Sequence, residues 1–151
     1  MMTRLPEFDE NALTDAQKRV YDRIQSGPRG GGRGPFKALL HAPELGDLVQ
    51  AVGGHLRYEG ALPGDLRELA ILVTGRHASA QYEFFAHAPI GIDEGLDPDI
   101  IEAVRTRREP QFSDGKTELV YRFAKQLNET HNVDDATFDA AVDAFGHSGA
   151  V

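Results

Sequence analysis

The stretch Asp65-Leu-Arg-Glu-Leu-Ala-Ile-Leu-Val-Thr74, followed after Gly75-Arg76 by His77-Ala-Ser-Ala-Gln-Tyr-Glu-Phe-Phe-Ala-His-Ala-Pro89, decides the fold. Leu66, Leu69, Ala70 and Val73 recur at helical spacing with Ile71 and Leu72 beside them, so the first segment reads as a helix apolar nearly all round, and therefore buried. Glu68 lies inside it, and a buried carboxylate needs a partner. The second segment reads as a helix from Ala78 to about Ala88, ended or kinked near Pro89. Within it Glu83 and His87 stand one turn apart on one face, among Phe84, Phe85, Ala86 and Ala88. On a wet surface such a pair contributes only about 0.2–0.5 kcal/mol. With Glu68 in the same low-dielectric pocket, two carboxylates and an imidazole shift one another's proton affinity, as acid and base chemistry requires.

Outward from this stretch the chain continues to read as helix. Residues 1–12 lack a period and are expected to form an arm whose Leu5 and Phe8 pack on the body or on a neighbouring subunit. Thr14-Asp-Ala-Gln17 has capping-box spacing and opens a helix carrying Val20, Tyr21 and Ile24, which ends before Ser26-Gly27-Pro28. The Gly-rich segment 27–35 is a loop. Phe36, Leu39 and Leu40 suggest a short helical turn after Pro35, and Pro43 opens a helix with Leu45, Leu48, Val49, Val52 and Leu56 on one face. Asp97-Pro98 starts a helix with Ile100, Ile101 and Val104 facing inward, and Ser113 or Asp114 caps the next, which carries Leu119, Val120, Phe123, Ala124 and Leu127. A last helix runs from about Asp134 to Phe145, with Gly146 as its C-terminal cap. No β-alternation or internal repeat is visible. The expectation is an all-α chain of six or seven helices: an arm at 1–12, a single domain at 13–146 and a tail at 147–151.

At 151 residues one domain is the default, near the size at which a partner subunit helps. The chain has no cysteine, which removes thiolate nucleophiles, disulfides and sulfur-ligated zinc. Its net charge of -8 is uneven: residues 1–75 carry nine basic and ten acidic side chains, residues 76–151 seven and fourteen. Such a chain suits a nucleic-acid backbone poorly, so no nucleic-acid partner is expected. No apolar run is long enough to span a bilayer and no signal-peptide pattern opens the chain, so no membrane partner and a cytoplasmic location are expected. Glu-x-x-x-His lacks the second histidine of a zinc-protease motif, and the Glu-x-x-His motifs of di-iron bundles are absent, so no metal is expected. The Gly-rich loop lacks the Gly-Lys-Ser/Thr ending of a phosphate loop. It does carry Arg29 and Arg33, two bidentate carboxylate donors that a lid would bring over an anionic substrate, although a plain surface linker accounts for it equally well. His77 either caps the helix before it or enters the pocket. Tyr82, about 100 degrees from Glu83, suits packing or an indirect hydrogen bond.

Arg67-Glu68-Leu-Ala-Ile-Leu-Val73, Ala80, Tyr82-Glu83 and His87 together resemble the carboxymuconolactone decarboxylase family, which includes the alkylhydroperoxidase D-like proteins. In the peroxidase branch a glutamate is followed at twelve, fifteen and nineteen residues by Cys, Cys and His. Here Glu68 and His87 match the outer members, while Ala80 and Glu83 replace the cysteines and cannot form a sulfenic acid or disulfide. The resemblance, spanning about residues 44 to 128, is therefore to the decarboxylase-like branch and not to a thiol peroxidase. It implies an alkylhydroperoxidase D-like helical domain that assembles as a homotrimer or homohexamer, with sites near subunit contacts, and that acts without a cofactor on a small carboxylated lactone or related ring acid. His87 is then the proton donor, Glu83 its orienting or proton-sharing partner, and Glu68 the group that sets their charge, with Arg29, Arg33, Tyr82 and His77 binding the substrate. An isomerase or lactone hydrolase fits the same residues, as does a non-catalytic oligomeric scaffold or ligand-binding protein.

Overall fold

The computed structural model describes residues 4–27, 31 and 34–151. Among them there is no β-strand, and there are eight α-helices: α1 (Asp15–Ser26), α2 (Pro35–Leu39), α3 (Pro43–Tyr58), α4 (Gly64–His77), α5 (Gln81–Asp93), α6 (Pro98–Arg105), α7 (Gly115–Thr130) and α8 (Asp135–Ala150). The helix beyond the expected six or seven is α2, a five-residue helix at the place where a short helical turn was expected after Pro35. The chain divides into two compact units, 1–60 and 61–151.

In the first unit Thr14 and Gln17 close the capping box from both sides. This starts α1 so that Val20 and Ile24 are buried with Leu40, and Phe8, Tyr21 and Phe36 pack on them. Phe8 also lies against the His41 ring, 4.2 Å between centroids, and the His41 Nε2 is 3.1 Å from the Pro6 carbonyl oxygen. That portion of the arm is held, and His41 is a satisfied structural histidine. Helix α3 meets α2 through Gly46, where an added Cβ would stand 2.9 Å from the Leu39 carbonyl oxygen, so a larger side chain would force the two apart. The expected apolar stripe of α3, Leu45, Leu48, Val49, Val52 and Leu56, is exposed along its length.

The second unit is organised around α4, on which α5, α6 and α7 pack, with α8 against α7. Leu66, Leu69, Leu72 and Val73 of α4 join Leu96, Ile100, Ile101, Val104, Val120, Tyr121 and Ala124 in one core. Burying each such side chain contributes about 1.5–3 kcal/mol, and this selects the helix pattern read from sequence. Asp97, Asp114 and Asp134 cap α6, α7 and α8 through their side chains. Pro89 neither ends nor breaks α5, which runs on to Asp93. Proline removes one bond, to the Phe85 carbonyl, and both residues lie on the exposed side, where water can replace it. Gly146, at φ 69°, interrupts α8 where the cap was expected, but the chain resumes a helical turn to Ala150, so residues 147–150 are not an unstructured tail.

Three helix ends share one geometry. At the end of α5, Gly95 is left-handed at φ 98°, with Leu96 N–H bonded to the Gly91 carbonyl and Gly95 N–H to that of Ile92. The same pair of bonds closes α4 around Ser79, at φ 55°, and α6 around Arg107, at φ 58°. Glycine is the usual occupant of this position because a Cβ crowds it.

Candidate functional site

Glu68 is fully inaccessible to solvent. Its Oε2 lies 2.6 Å from the His87 Nδ1, and its Oε1 accepts from the Arg67 Nε at 3.3 Å. Arg67 also reaches Glu94 Oε1 at 3.3 Å, so the buried carboxylate has cationic and imidazole partners and a further carboxylate at the rim. Burial pushes the Glu68 carboxyl upward, but the hydrogen bond and charge of His87, joined by those of Arg67, outweigh it and hold the group below its ordinary value. An ionised carboxylate only accepts, so the proton of the 2.6 Å contact sits on Nδ1.

The other ring nitrogen of His87 is thereby left for a second partner. Its Nε2 faces Glu83 Oε2 at 3.6 Å, an ion-pair distance too long for a hydrogen bond. The His87 side chain is 19% exposed and that of Glu83 44% exposed, so access to solvent rises from Glu68 outward. A buried carboxylate thus fixes the tautomer and orientation of an imidazole whose far nitrogen faces the part-exposed Glu83, so the ring is placed where it could exchange a proton.

Close approach of α4 and α5 makes this possible. A Cβ on Gly75 would lie 3.6 Å from that of Glu83, and one on Gly91 3.6 Å from that of Glu68. Each carboxylate stem thus lies against a glycine of the opposite helix. Phe84 and Ala88 pack on the core beside the site, but Phe85 is 78% exposed and does not enclose the pair as its position in sequence suggested. With Tyr82, Pro89 and Ile92 it forms an exposed apolar face on α5.

The three expected catalytic residues therefore converge, with the short contact between Glu68 and His87 and not between the two members of the helical pair. The expected substrate-binding residues do not all join them. Tyr82 is exposed on α5, and His77, the last residue of α4, lines a different cleft with Arg76 and Arg107. Arg29 and Arg33 lie outside the described residues. Arg67 and Glu94 are the members that sequence reasoning gave no role. Neighbours in a helix do not normally face one another, so spacing could not pair Arg67 with Glu68, and Glu94 comes from the far end of α5. Among the described residues no group of three or more His, Asp and Glu side chains is arranged to hold a metal ion, and no helix is long and apolar enough to cross a membrane. Comparison with protein-family models, with curated proteins and with solved structures finds no match to the chain.

Proposed function

We propose that the chain is a cofactor-independent lyase of the carboxymuconolactone decarboxylase type, in an alkylhydroperoxidase D-like domain, acting on a small carboxylated lactone or related ring acid. The observation that carries this reading is the 2.6 Å contact between the buried Glu68 carboxylate and the His87 Nδ1, which leaves Nε2 as the working nitrogen. In the reaction the bond between ring carbon and carboxylate breaks, carbon dioxide leaves, and the electron pair passes into the conjugated carbonyl as a dienolate. The His87 Nε2–H then delivers a proton to carbon, and solvent restores it. Glu68 stabilises the imidazolium before transfer, and Glu83 takes a share of its charge at the open end.

Self-association as a homotrimer or homohexamer belongs to the same reading. The face of Tyr82, Phe85 and Ile92 lies on the helix that bears Glu83 and His87, on the side turned away from them, and offers a second copy an exposed apolar surface.

The test is a panel of carboxylated lactones followed by ultraviolet absorbance and carbon dioxide release. Turnover is expected in the parent protein, with a fall of about 10²- to 10⁴-fold in His87→Ala while helical circular dichroism is retained. Unchanged turnover in that variant would remove His87 from the mechanism. Loss of the lactone without carbon dioxide would turn the assignment to hydrolysis or isomerisation.

A further inference from the structure

A second polar cleft lies away from the Glu68–His87 contact. It encloses about 160 Å³ and is lined by Arg76 and His77 from α4, Arg107, Arg108 and Glu109 from the segment after α6, and Lys125 and Glu129 from α7, over a floor that includes Tyr121. Its charge runs against that of its surroundings. Residues 61–151 carry eight lysines and arginines against sixteen aspartates and glutamates. Four of the eight cations line this cleft, and only two of the sixteen carboxylates do.

Those two carboxylates do not answer the arginines. Glu109 is held by Lys125 at 2.8 Å and accepts from the Tyr121 hydroxyl at 3.3 Å. Among the described residues, none of Arg76, Arg107 and Arg108 has a carboxylate within ion-pair distance. Arg76 donates from Nε to the Arg105 carbonyl at 2.7 Å, and Arg108 donates from Nε to the Thr106 hydroxyl at 3.0 Å. Arg107 reaches the Arg76 carbonyl and the Ser79 hydroxyl at 3.4 Å. These contacts orient the guanidinium groups without neutralising them.

The backbone adds an independent observation. Arg107 and Ser79 occupy the left-handed positions that Gly95 fills at the corresponding end of α5. A side chain costs energy there, and the Arg107 side chain, which lines the cleft, reaches the Ser79 hydroxyl. The fold therefore carries an arginine where glycine is the easier residue.

We propose that this cleft binds a small doubly charged oxyanion, either free phosphate or the phosphoryl end of a small molecule. Four cations against two carboxylates in the lining leave an excess of positive charge, since Glu102, whose carboxylate also feels Arg108, is held by Arg105 at 2.6 Å; guanidinium forks match phosphoryl oxygens, and the volume admits one such group. This proposal stands apart from the proposed lyase chemistry and does not depend on it.

The experiment is an NMR titration of the full chain with inorganic phosphate, a phosphomonoester and a short dicarboxylate, in separate arms with ionic strength held constant by chloride. Saturable shifts confined to the amides around Arg76, Arg107 and Arg108, in the millimolar range or tighter, are expected with phosphate or the phosphomonoester. Tighter binding of the ester identifies a phosphorylated small molecule, and equal binding identifies the free ion. Arg107→Gly should bind at least tenfold more weakly while its melting temperature stays level or rises, since glycine relieves the left-handed position. Arg108→Gln, which keeps the backbone bond to Ala103 and is not itself at a left-handed position, should weaken binding to a similar extent. Non-saturable shifts, preference for the dicarboxylate, or parent-like binding in either variant would overturn the proposal.

Discussion

Helices α3 and α4 are both rich in leucine and valine, yet they meet opposite environments. In α3, Leu48 and Val52 are 68% and 62% exposed, whereas in α4 Leu69 and Leu72 have no accessible surface and even Glu68 is sealed. The distinction lies in how the apolar residues are distributed. Those of α3 form a single stripe, and a stripe names a face without naming what covers it. Those of α4 surround the helix, so three helices must pack on it, and a carboxylate among them has to find its partners inside.

The largest effect that separates the two helices is on stability. Leu69→Ala should lower the free energy of unfolding by about 2–5 kcal/mol, read from urea or guanidinium transitions, because it empties a closed site. A cost of a few tenths of a kcal/mol would mean that α4 is not the closed element. The next effect concerns the carboxylate. The folded state holds Glu68 below its ordinary value, so the stability this gives is present above the unfolded value and is lost as pH falls through the folded one. Stability of the parent should therefore fall more steeply below about pH 5 than that of Glu68→Gln, by at most about 1.4 kcal/mol per pH unit for one proton. Parallel curves would show that Glu68 gains no ionised partner on folding. The smallest effect belongs to α3: Leu48→Ala should change monomer stability by less than about 0.5 kcal/mol in dilute solution. A larger, concentration-dependent cost, with a matching change in sedimentation, would show the α3 face covered by another chain.

Much of the fold could be read from local chemistry. The Thr14 capping box and the aspartates that open α6, α7 and α8 act over three or four residues, and the structure uses each of them. The passage of α5 through Pro89 was not readable, because the penalty of a lost hydrogen bond depends on which side of the helix is wet. Nor were the left-handed Ser79 and Arg107, since the residue preference there points to glycine or asparagine. At the site, spacing brought out Glu83 and His87 as a pair, but it could not rank their contacts. The shorter bond joins Glu68 to His87 across nineteen residues, and only the packing of α4 on α5 sets it.

The position of Glu68 has a consequence for motion. Amide hydrogens exchange most slowly where local opening costs as much as global unfolding, and a helix packed on three sides has no cheaper route to water. The anchor of His87 thus rides on the segment of this unit that opens most rarely, while the imidazole itself comes from a helix with one face in solvent. Any shift of α5 against α4 would vary the reach of Nε2 about a fixed point, with the hydrogen bond at Nδ1 acting as the pivot.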